Sequence, residues 1–157
     1  MLFRSEDIQW AKKNLVDYAP LVYPGFSWGN MKGKEHNSFI PRNKGSFLWK
    51  QLMGAIRAGA EMIYVAMFDE IDEGTAIFKC AKKVPVGESL FVPLEEEVES
   101  DHYLKLVGEA VRSGRSGARR AEARCRSRPH CGCGRASLLE SLLPGSDLLP
   151  DVYKESH

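Results

Sequence analysis

The chain is short of the features that would place it at once. Its 157 residues contain no stretch of ~18 apolar residues, so no segment has the length of a membrane-spanning helix. The opening Met1-Leu2-Phe3-Arg4-Ser5-Glu6-Asp7 lacks a basic region followed by an apolar run and does not read as a signal peptide. Neither sign of charge dominates: 22 Lys+Arg face 21 Asp+Glu, and a net +1 names no polyanionic partner. Cysteine is scarce, and three of the four (Cys125, Cys131, Cys133) crowd one segment away from Cys80, which argues against a disulfide scaffold. Asn37-Ser38-Phe39 lacks the Ser/Thr of a glycosylation acceptor, and the lone His36 beside it takes no assigned role. What is present is ordinary globular material, 43% hydrophobic and 10% aromatic, enough for a core.

The near-neutral total hides a split. Residues 1–110 carry 10 Lys and 3 Arg against 16 acids, a net −3, while residues 111–157 carry 1 Lys and 8 Arg against 5 acids, a net +4. Those last 47 residues also have no Ile, Phe, Trp, Met or Asn. The chain therefore divides into a folded part, 1–110, and an Arg-rich tail, 111–157, whose first portion, 111–135, is expected to be largely disordered. In the tail, Cys125, His130, Cys131 and Cys133 are zinc-type ligands, but C-x₄-H-C-x-C lacks the paired knuckles of a structural site, so no metal is assigned. The Arg residues suit phosphates, yet without aromatics between them to stack bases, nucleic-acid binding is only a minor alternative.

Within 1–110 the pattern alternates helix and strand. Ile8, Ala11, Leu15 and Tyr18 recur at helical spacing after Ser5, predicting a helix to Tyr18 that Pro20 stops. Leu21-Val22-Tyr23 reads as a short buried strand ended by Pro24-Gly25, then an aromatic and polar turn, Phe26 to Asn30, and a long surface loop, 31–46. Ser46 suits the cap of a second helix from about Phe47 to Ala58, with Gly59 at its C′ position. Met62 to Phe68 is a continuous apolar run of strand length, predicted to be buried on both faces under helices, with Tyr64 in the core. Such an α/β alternation places chemistry at the carboxyl ends of its strands.

At that position stand Asp69, Glu70, Asp72 and Glu73, four carboxylates in five residues. Gathering like charges at a partly buried strand end costs free energy. By residue chemistry alone, three readings stay open: a solvated acidic loop, a pair of carboxyls for glycosidic chemistry, or oxygen ligands for a hard cation. Glu95-Glu96-Glu97-Val98-Glu99 is read as a solvated face.

Phe68-Asp69-Glu70-Ile71-Asp72-Glu73-Gly74-Thr75-Ala76-Ile77 resembles the Phe-Asn-Glu-Trp-His-Glu-Gly-Thr-Gln-Ile motif of glycoside hydrolase family 99, the endo-α-mannosidases. Tyr23 to Trp28, Ile40-Pro41-Arg42-Asn43, Ala58 to Tyr64, and Asp101 to Ala110 resemble blocks of proteins described as family 71/99-like, some of them labelled xylosidase/arabinosidase. The likeness covers roughly residues 5–110 and ends where the composition changes, as a reading-frame change or replaced terminus would leave it.

The resemblance implies a partial (β/α)₈ barrel, its last strands and helices only, since 157 residues fall short of the ~250 of a complete one. It implies Glu70 as the base acting on a sugar 2-hydroxyl and Glu73 as the acid and then base at the leaving oxygen and water, with retention, and no cofactor. Trp28 and Phe26 suit stacking on a sugar ring as well as core packing, Tyr23 either, and Arg42, Asn43, Asp69 and Asp72 suit sugar hydroxyls as well as solvent. The family's Asn, Trp and His stand here as Asp69, Ile71 and Asp72, so mannoside specificity does not carry over. A carbohydrate is the implied partner, in a family often secreted or periplasmic. The competing expectation is a non-catalytic or vestigial carbohydrate-binding remnant, because two strands do not enclose a sugar. Alone, the chain is expected to be inactive.

Overall fold

The computed structural model describes residues 5–126 except Val86. The chain divides into two compact units, Met1–Val111 and Arg112–His157. In the first, α1 (Ser5–Lys13), β1 (Leu21–Val22), α2 (Gly29–Lys32), α3 (Ser46–Arg57) and β2 (Tyr64–Val65) follow in order, with short 3-10 turns at Lys34–His36 and Asn43–Gly45. The helix α4, His102–Arg126, begins in this unit.

β1 and β2 pair in parallel, Leu21 opposite Tyr64 and Val22 opposite Val65. Parallel neighbours need a crossover, and α3 lies within it. Val22 has no exposed surface, and Leu48, Trp49, Leu52, Met53 and Ala55 bury one side of α3. Where β1 ends, Gln51 of α3 replaces the missing sheet partners. Its Nε2 donates to the Tyr23 carbonyl at 2.8 Å, and its Oε1 accepts from the Tyr23 amide at 3.4 Å.

Both α1 and α3 close with the same pair of bonds. In α3, Gly59 N–H donates to Ile56 O and Ala60 N–H to Ala55 O, each at 3.0 Å, around Gly59 at φ +85°. In α1, Leu15 N–H donates to Lys12 O at 3.3 Å and Val16 N–H to Ala11 O at 2.9 Å, around Leu15 at φ +55°. The glycine stop is where the sequence placed it. The first helix instead ends at Lys13, short of Tyr18, because a leucine occupies the left-handed position, and Leu15 stands 95% exposed. Only Ile8 and Ala11 of the expected apolar stripe are buried in α1.

Three further expectations are corrected. Gly45, left-handed at φ +88°, precedes α3 as its N-cap in place of Ser46, with no side-chain capping bond. The loop 31–46 contains α2's end, two 3-10 turns and an antiparallel bridge between Phe26 and Ile40. The run 62–68 is not buried on both faces: Tyr64 is 51% and Phe68 59% exposed, with Met62 and Met67 also open. Only two strands are present among the described residues, and β1 alone pairs with β2.

Residues 111–126, expected to be disordered, are helical in α4. Ala and Arg, which set this stretch apart in composition, are strong helix formers, and they outweigh Gly114 and Gly117. At the start of α4, Tyr103, Leu106 and Ala110 are buried at spacings of three and four. In the second unit, Arg112 and Arg115 are exposed. Residues 127–157, including His130, Cys131 and Cys133, lie outside the described residues, as does the side chain of Cys125. No helix is long and apolar enough to cross a membrane among the described residues.

Candidate active site

The acidic segment follows β2 directly and folds back on itself. Met67 N–H donates to Thr75 O at 3.3 Å, Ile77 N–H to Phe68 O at 3.1 Å, and Phe78 N–H to the same oxygen at 2.9 Å. At the tip, Gly74 N–H donates to Ile71 O at 3.2 Å, and Gly74 sits at φ +66°. A side chain there would be strained by that φ, and its Cβ would stand 2.8 Å from Cγ2 of Val92. Gly74, Thr75, Ala76 and Ile77 are buried, so the loop is rooted in the core on its C-terminal side.

Of the four carboxylates, Glu70 and Glu73 are half-buried, whereas Asp69 and Asp72 are exposed. The Glu70 carboxylate accepts from Asp72 N–H at 3.1 Å, and the Glu70 carbonyl accepts from the Thr75 hydroxyl at 3.4 Å. Glu73 is held by its backbone, its carbonyl accepting from Ser27 N–H at 2.7 Å. Asp72 accepts from the Asn30 side chain at its carboxylate and, at 3.2 Å, at its carbonyl. The two aspartates thus lie in solvent rather than pressed together at a buried strand end. Among the described residues, no group of three or more His, Cys, Asp or Glu side chains is arranged to hold a metal ion. Four acids adjacent in sequence do not converge.

The turn carrying Ser27 also carries the aromatic residues. Phe26 and Trp28 are half-buried and meet edge to face at 5.4 Å between ring centroids. Trp28 stacks on Phe39 at 5.7 Å and 12°, and Lys32 Nζ lies 3.8 Å from the Trp28 ring centroid. Phe39 is largely exposed, in a surface loop whose other residues are mostly polar and give it no prominence in the sequence. The signal for it lay in the apolar pair Phe39-Ile40, where Ile40 exchanges both backbone bonds with Phe26 at 2.9 Å. Tyr23 packs edge to face on Phe47 of α3 at 5.3 Å, and burial raises its phenol above the ordinary value.

Arg42 and Asn43 part company. Asn43 is exposed at φ +51°. Arg42, read from sequence as a loop residue for sugar or solvent, is buried at 6% exposure with its guanidinium on the Gly74 carbonyl. The physical reason is that the Gly25 backbone, with no side chain, lets the Arg42 stem pass inward.

The sequence matches no family model. No curated protein matches it. Solved structures do. An endo-alpha-mannosidase of glycoside hydrolase family 99 from Bacteroides thetaiotaomicron, in complex with BIS-TRIS-propane, superposes with a TM-score of 0.63 at 25% identity, over 74% of this chain and 35% of that one. A second structure of the same enzyme gives 0.62 at 24% identity, over 71% and 32%. The fold is glycosidase-like. The likeness is to endo-alpha-mannosidases and offers nothing for a xylosidase or arabinosidase. This chain spans about a third of the length of the enzymes it matches.

Proposed function

We propose that this chain is the part of a retaining glycoside hydrolase barrel that carries the two catalytic carboxylates, Glu70 and Glu73. The observation that carries the reading is the position of these two half-buried residues on the loop after β2, within a fold similar to a family 99 hydrolase at 25% identity. Parallel α/β folds put their chemistry at the carboxyl ends of strands. Glu70 takes the proton of the sugar 2-hydroxyl as that oxygen closes on the anomeric carbon, and Glu73 protonates the departing oxygen. In the second half Glu73 removes a proton from water as it attacks the anomeric carbon, and Glu70 returns its proton to O2. Two inversions give retention, with no bond between sugar and enzyme.

The remaining strands of such a barrel pair with the open edge of β2 and cover the exposed side chains of Tyr64 and, just past the strand, Phe68. The substrate is an oligo- or polysaccharide; Asp69, Ile71 and Asp72, departing from the family motif, leave the sugar to be chosen by other contacts. The exposed Phe39 stacked on Trp28 favours a second reading, carbohydrate binding without turnover.

The two readings separate in a protein that joins this chain to the rest of a barrel. Glu73→Gln lowers glycoside turnover by about 100-fold or more under the hydrolase reading, the share of a general acid–base group. Turnover unchanged in that variant removes Glu73 from the chemistry. Binding of oligosaccharide at wild-type strength, with no turnover in the parent either, supports the second reading.

A further inference from the structure

A buried guanidinium must place its donors and offset its lost hydration. Arg42 Nε and Nη2 both donate to the Gly74 carbonyl, at 3.1 and 2.8 Å. Its Cζ lies 4.8 Å from the ring centroid of Tyr103 on α4, and its buried Nη1 has no hydrogen-bond partner. The Tyr103 hydroxyl donates to the Glu95 carboxylate, 3.0 and 3.1 Å from its two oxygens, and the same carboxylate accepts from Lys44 N–H at 2.9 Å. The side chain is thus held from behind by the Tyr103 ring and engaged in front with one peptide oxygen.

That oxygen belongs to the residue following Glu73. We propose that Arg42 is a positioning residue for Glu73, an inference that rests on the reading of Glu73 as the acid–base group. With Ser27 N–H on the Glu73 carbonyl at 2.7 Å and Arg42 on the Gly74 carbonyl, two successive peptide groups are pinned. The first adjoins the Glu73 Cα, whose preceding peptide is held through the Asp72 carbonyl by Asn30 at 3.2 Å, and Arg42 anchors the Gly74 turn that follows, so that the segment bearing the Glu73 side chain is fixed on both sides. Gly74 at φ +66° turns its carbonyl toward the guanidinium, which no residue with a Cβ does cheaply. Gly25 has a matching constraint: a Cβ there would lie 2.7 Å from Arg42 Cγ and 2.9 Å from Ile40 O. Pro24-Gly25, Ile40-Pro41-Arg42 and Glu73-Gly74, far apart in sequence, form one device. Lysine replaces it only in part, because an ammonium lacks both the planar face that lies on Tyr103 and the fork that puts two donors on one oxygen.

The test is hydrogen exchange by mass spectrometry on the full 157-residue chain and two variants, Arg42→Met and Arg42→Lys. In Arg42→Met, amides in the segment 70–76 exchange about tenfold faster or more, while the α3 segment stays within about twofold of wild type, as loss of a local bond rather than of the core requires. Arg42→Lys, with one donor still in reach, recovers part of that protection. Unchanged exchange at 70–76 in Arg42→Met overturns the proposal, as does an equal loss at α3 in both variants, which makes Arg42 a general core residue. No step needs turnover, so failure of Glu73→Gln to affect activity would remove the catalytic reading and leave this result standing.

Discussion

Gly74, Thr75, Ala76 and Ile77 are buried with their backbone tied to Met67, Phe68, Ile71 and Arg42, whereas Met62, Tyr64, Met67 and Phe68, a few residues upstream, expose apolar side chains. One side of β2 is finished by groups from within the chain. The other is not. An apolar strand of a parallel sheet is ordinarily covered on both faces, and contiguous exposed apolar side chains mark a surface that receives another. The contrast supports the proposed assignment, in which the loop bearing Glu70 and Glu73 is complete in this chain and further strands would supply the enclosure around it.

This comparison can be broken in order of effect. The largest effect is the loss of turnover proposed for Glu73→Gln. Next, Leu48→Ala, with no surface exposed in α3, is expected to lower unfolding free energy by about 2–5 kcal/mol. Phe68→Ser, at 59% exposure, should change it by less than about 0.5 kcal/mol. Urea denaturation of the two variants decides it. Equal losses would mean that the β2 face is already covered.

A smaller effect concerns the brace behind Arg42. Burial first, and then the Glu95 carboxylate, raise the Tyr103 phenol far above its ordinary value, with Arg42 opposing. The folded state then keeps a proton that the unfolded chain releases near pH 10. Its stabilisation is therefore full below that pH and declines above it, by about 1.4 kcal/mol per pH unit. Denaturation midpoints measured from pH 9 to 11 should fall more steeply for wild type than for Tyr103→Phe. Parallel slopes would mean that Tyr103 is not buried against Glu95.

Much of this architecture is legible in the residues. Pro24-Gly25 ends β1, Gly59 ends α3, and the acids follow β2, because glycine and proline act locally and an apolar run declares itself. What escapes is set by partners distant in sequence. Leu15 takes the left-handed position that a glycine would have announced. Arg42 looks like any loop cation until the room left by Gly25 and the turn of Gly74 draw it inward. Tyr64 reads as core because a continuous apolar run suits a strand buried on both faces, while the strand formed here leaves Tyr64 half exposed. The Ala and Arg of 111–126 mark a change of composition and are equally the residues of a long helix.

The central claim, a finished loop beside an unfinished sheet, is read most directly at two adjacent amides, Val65 at the end of β2 and Ala66 just past it. Ala66 N–H donates to Val22 O at 2.8 Å, and the alternation of a strand turns the Val65 N–H the other way, to the open edge. Residue-resolved hydrogen exchange of the wild-type chain should find Val65 exchanging at least about tenfold faster than Ala66, with Ser27, bonded to Glu73, protected like Ala66. Val65 as slow as Ala66 would contradict the account.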